Sequence, residues 1–95
     1  MAKVKNVEKQ IWDTEGFDVV IRHKDGRDVH GAKTGLRLYN EFERAAKNDW
    51  TVADWRESRF SARYPEFDVA VLDGDGNEVH GLTKLGSVRD TYSDE

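Results

Sequence analysis

The sequence predicts an α+β domain: an antiparallel sheet from two duplicated β-hairpins, with two central helices packed on one face. Three observations carry this expectation. Residues 17–31 recur at residues 67–81 with eight identities in fifteen positions. In the first copy Phe17, Val19 and Ile21 alternate with Asp18, Val20 and Arg22, a period of two, and both copies carry Asp-Gly at the turn. Between the copies lie two stretches with the apolar spacing of helices, around 34–47 and 51–64.

A chain of 95 residues makes a single domain, 1–95, with an internal repeat and one core. The charged fraction is 36% against 37% hydrophobic, which is polar for a globular chain. Three tryptophans, three tyrosines and four phenylalanines nevertheless argue against disorder. A net charge of -4 favours solubility and gives no bulk attraction to nucleic acid or membranes. The absence of cysteine excludes disulfides, thiolate metal sites and thiol catalysis. No apolar run has membrane-spanning length, and the start Met1-Ala2-Lys3-Val4-Lys5 lacks a signal peptide's apolar stretch. The expected location is the cytoplasm, with no membrane partner.

Residues 3–12 fit two patterns. Val4, Val7 and Ile11 have helical spacing, while Val7, Lys9 and Ile11 have strand spacing. The expectation is a first strand that runs into a turn at Asp13-Thr14-Glu15-Gly16 and adds to the first hairpin. In that hairpin a three-residue loop, Lys24-Asp25-Gly26, sets Ile21 opposite Val29 and Arg22 opposite Asp28. A two-residue loop would mix the faces. The second loop, Gly74-Asp75-Gly76, sets Val71 opposite Val79. Each loop ends on glycine, where a positive φ is needed.

Thr34 can cap a helix with Leu38, Tyr39, Phe42, Ala45 and Ala46 on one side. Arg37, Asn40, Glu41, Arg44 and Lys47 fall on the other. A second helix starts at Thr51, with Asp54 completing a capping box and Trp50 and Trp55 placed for a hydrophobic staple. Pro65 ends it. After the second hairpin, Leu85, Val88 and Tyr92 suit a short helix or a last strand. The expected core is Phe17, Val19, Ile21, Val29, Tyr39, Phe42, Trp55, Phe67, Val69, Val71 and Val79.

Chemistry is concentrated in the second helix. Arg56, Arg59 and Arg63 share one face, bordered by Trp55, Phe60 and Tyr64. Such a stripe can bind a partner's carboxylates, phosphates or bases. It can equally lie over its own aromatics and pair with the sheet's acids. His30 and His80 occupy equivalent places before glycine and could share a metal, or be exposed strand residues kept from the duplication. Asp73-Gly74-Asp75-Gly76-Asn77 looks like a calcium loop but has Glu78 where glycine is required and Lys84 at the closing acid. No catalytic motif is present, so no catalytic residue, metal or cofactor is assigned.

The chain resembles, in general style alone, small accessory or inhibitory proteins of phages and plasmids, including anti-CRISPR proteins. No motif carries over from them. The expected function is a non-enzymatic, acidic protein-binding module, an inhibitory or accessory protein. Nucleic-acid binding through the arginine stripe is the alternative, and metal binding the second. The expected partner is another protein, and a homodimer is compatible with a duplicated unit.

Overall fold

The computed structural model describes residues 2–31, 33–39 and 44–92. Helix α1 (Val4–Glu15) opens the chain and packs on strand β1 (Asp18–His23). Helix α2 spans residues 52–63: α-helical Val52–Trp55, a π-helical stretch Arg56–Phe60, and α-helical Ser61–Arg63. Strand β2 (Phe67–Leu72) and helix α3 (Leu85–Asp90) follow. The fold is α+β, and β1 and β2 form a two-stranded antiparallel sheet.

The expected first strand at 3–12 is a helix. A strand would have buried Lys9 beside Val7 and Ile11. The helix instead sinks Val4, Val7 and Ile11 completely and leaves Lys9 in solvent. Its start is fixed from outside, because Val4 and Lys5 donate their N–H groups to the carbonyls of Lys33 and Gly31. The supposed turn at 13–16 is its last turn, which Gly16 closes at φ 83 by donating to the Trp12 carbonyl.

The strands pair so that Val20 faces Ala70, with Val19 opposite Val71 and Ile21 opposite Val69. Val19, Ile21, Val69 and Val71 are buried against the helices. Beyond each strand the chain folds back. Arg22 bridges to Asp28 and Leu72 to Glu78. Val29 N–H donates to the Ile21 carbonyl, and Val79 N–H to the Val71 carbonyl. These are the pairings expected of three-residue loops, with Gly26 at φ 95 and Gly76 at φ 84.

The expected helix over 34–47 is not formed in its described residues, 33–39 and 44–47; Phe42 and its neighbours 40–43 lie outside them. Two central helices on one face are therefore not what packs the sheet. The cause is competition for backbone groups. Leu36 exchanges hydrogen bonds with Ala2 in an antiparallel bridge. The carbonyls of Arg37, Leu38, Arg44 and Ala46 accept from the side chains of Tyr64, Arg63, Arg59 and Arg89. A helix would need those carbonyls for itself. Leu36, Tyr39 and Ala46 are still buried, and they anchor the strap, the two described non-helical stretches 33–39 and 44–47.

Helix α2 has the expected capping box. Thr51 Oγ1 accepts from Asp54 N–H, and Asp54 Oδ2 from Thr51 N–H, both at 3.1 Å. At the far end of the chain, the Tyr92 hydroxyl accepts from Asp18 N–H at 2.9 Å and donates to the Leu72 carbonyl, closing the last rung of the sheet. The expected core residues Phe17, Val19, Ile21, Val29, Tyr39, Trp55, Val69 and Val71 are buried, and Phe67 and Val79 pack against them half-buried. Val4, Val7, Ile11, Val52, Phe60, Leu85 and Val88 complete the core. Among the described residues no helix is long and apolar enough to cross a membrane.

Candidate functional site

The arginine stripe faces inward for most of its length. Trp55 and Phe60 have no exposed surface and Tyr64 is buried. Trp55 stands edge-on to Phe17 at 5.1 Å, and Phe60 lies 5.0 Å from Tyr64. The π-helical stretch closes with Ser61 N–H donating to the Arg56 carbonyl. Of the three arginines, Arg59 and Arg63 reach across to the strap, where Arg63 Nε donates to the Leu38 carbonyl. Arg56 lies half-buried beside Gly81.

At the centre is Glu15, whose side chain has no exposure. Its Oε2 accepts from the Tyr39 hydroxyl at 2.7 Å and from Arg59 at 2.6 Å. Its Oε1 accepts from Ala46 N–H at 2.8 Å and from Arg89 at 3.3 Å. Trp55 Nε1 donates to the Tyr39 hydroxyl at 3.0 Å. Arg89 also donates to the Glu15 and Ala46 carbonyls and to Asn48 Oδ1, and lies over the Phe17 ring at 5.7 Å. Burial lowers the Arg89 pKa from the ordinary arginine value, with Glu15 opposing it. Burial first, then the Glu15 charge, raises that of Tyr39 far above the tyrosine range. Two guanidiniums and one carboxylate, saturated with protein donors, tie α1, α2, α3 and the strap together. No spacing in the sequence announces this centre. Glu15 reads as one acid of a turn, and its partners lie up to 74 positions away.

The remaining sequence candidates are separate from it. His30 and His80 are exposed, and His80 Nδ1 accepts from Leu82 N–H. Among the described residues no group of three or more His, Asp or Glu side chains could hold a metal. In the calcium-like loop, Asp73 Oδ1 accepts from the N–H groups of Asp75 and Asn77, so that oxygen closes the turn.

Two surface features are left. The sheet face turned away from the helices carries the exposed acids Asp18, Asp28, Asp68 and Glu78. Arg22, which shares that face, is claimed by Asp28 at 3.1 Å and Glu78 at 2.9 Å. These hydrogen bonds raise its pKa, Glu78 contributing most. The second feature is a trough between the strap and the corner where α2 meets β2. One part, of about 340 Å³, runs past Arg37 and Arg63, and an adjoining part of about 330 Å³ past His23 and Lys33. Gly35, Leu36, Glu66 and Phe67 border both parts.

No protein-family model, no curated protein and no solved structure matches the chain.

Proposed function

We propose that the chain is a non-enzymatic protein-binding module made of two copies of a helix–hairpin unit, which docks its acidic sheet face on a basic partner as an inhibitory or accessory protein. Charge segregation on that face carries the reading. Asp18, Asp28, Asp68 and Glu78 stand exposed on one face of the sheet, and Arg22 among them is already paired. Such a surface steers and orients a basic partner more than it adds raw affinity.

The two-copy reading rests on hydrogen bonds that recur. His23 N–H donates to Arg27 as Asp73 N–H does to Asn77, and Lys33 N–H to His30 as Thr83 N–H does to His80. Val52 and Ala53 donate to Thr83 and Gly81, as Val4 and Lys5 do to Lys33 and Gly31. Such a pair of units has its twofold at Val20–Ala70.

The test is affinity capture from the native host followed by mass spectrometry, with the wild-type chain beside an Asp18→Lys, Asp68→Lys variant. A basic protein retained by the first and lost from the second supports the reading. Retention of no protein, or retention indifferent to the reversal, removes it.

A further inference from the structure

The trough beside α2 concentrates positive charge on a chain whose net charge is -4. Among the described residues, Lys33, Arg37 and Arg63 line it against one carboxylate, Glu66. Lys33 and Arg37 are exposed and have no ion pair among the described residues. Between the cations lies a ring surface. Phe67 is half-buried, and His23 lies beside it with centroids 6.1 Å apart and planes at 50°. A Cβ placed at Gly35 would meet nothing within 4 Å, so the middle of the trough is open.

The trough is also where the two halves of the chain differ. Gly16 ends α1 and adjoins Phe17, whereas Pro65 and Glu66 stand between Tyr64, which ends α2, and Phe67. Arg89 fills the first corner by lying over Phe17. At the second corner the space beside Phe67 stays open.

We propose that this trough binds a short stretch of single-stranded nucleic acid, with Lys33, Arg37 and Arg63 on successive phosphates and a base against Phe67 and His23. The trough is open beside its cations, and ring faces accept any base. An extended peptide would be bound by main-chain pairing along a free strand edge. At the trough the main-chain donors are already engaged: Phe67 N–H donates to the Tyr64 carbonyl and Leu36 N–H to the Ala2 carbonyl. Binding is local and electrostatic, and therefore weak and sensitive to salt.

The experiment titrates the full chain into fluorescein-labelled oligothymidylate at several salt concentrations. Three phosphate contacts on a single strand give a log–log salt slope of about -2. Lys33→Ala and Arg37→Ala each flatten that slope by about 0.7. Phe67→Leu weakens binding about tenfold through lost stacking. Glu66→Gln tightens it, a gain that misfolding cannot mimic. Absence of wild-type binding at low salt overturns the proposal, as does binding that ignores Lys33→Ala, Arg37→Ala and Glu66→Gln. Displacement by poly-glutamate as readily as by unlabelled oligothymidylate also overturns it, in favour of an acidic peptide.

Discussion

The Glu15 carboxylate meets the Arg59 guanidinium at 2.6 Å across a separation of 44 residues, inside the molecule rather than on it. Removing the carboxylate strands two largely buried cations. Glu15→Ala is therefore expected to destabilise the chain by roughly 3–5 kcal/mol in urea unfolding. The exposed Lys9–Asp13 pair is the control, and Lys9→Ala should cost less than about 0.5 kcal/mol.

Tyr39 adds a pH signature to the same cluster. Its folded pKa is raised, by burial and then by Glu15, so the neutral phenol belongs to the folded state. The stability this provides is complete below the unfolded pKa, about 10, and is lost as pH rises beyond it. Wild-type protein should lose stability steeply above that pH. Tyr39→Phe should be less stable at neutral pH by about 1–3 kcal/mol, through the lost bonds to Glu15 and Trp55. Its alkaline limb in a series of thermal melts should be flatter.

Glu8 works in the opposite sense at neutral pH. Burial raises its pKa against the bond that its Oε2 accepts from Ile21 N–H. A carboxyl with a raised folded pKa contributes stability below its unfolded pKa and loses it as pH climbs through the folded one. The charged form is a net cost at neutral pH. Glu8→Gln keeps an oxygen for Ile21 and should raise the urea midpoint at neutral pH, with the gain vanishing below about pH 4.

Glycines at the second turn separate two kinds of constraint. Gly76→Ala, at φ 84, should cost about 1–2 kcal/mol for left-handed backbone. Gly74→Ala meets a different obstacle, because its Cβ would stand 2.0 Å from the Thr91 carbonyl oxygen. A cost of about 3 kcal/mol, the upper end for overpacking, is expected in chemical denaturation. Gly26→Ala, with open space around it, should behave like Gly76→Ala.

These positions also show what was legible in the sequence. Strand pairing and turn chemistry act over a few residues, so the register of Arg22 with Asp28 and the glycines at 26 and 76 could be read from spacing alone. The Thr51–Asp54 box is equally local. Residues 3–12 satisfied two periodicities, and the choice between them depended on carbonyls at Gly31 and Lys33, far along the chain. The strap carried a helix's pattern, and side chains of Arg59, Arg63, Tyr64 and Arg89 took the carbonyls that a helix needs. The shared face of Arg59 and Arg63 is visible in their spacing, but spacing cannot say that the face turns inward. Gly74 left no local trace of its neighbour Thr91.

Val20 and Ala70 face each other across the sheet, where the proposed pair of units has its twofold. In a symmetric pair of identical chains, any substitution at such a position would appear on both sides, and the two ends of the assembly would remain copies. Carrying both of the proposed units on one polypeptide lifts that restriction. Arg22 can reach Glu78 while its own counterpart is Leu72, and His23 can border an open trough while its counterpart, Asp73, closes a turn. If the chain holds two copies as proposed, its two ends can differ around a shared centre at Val20–Ala70.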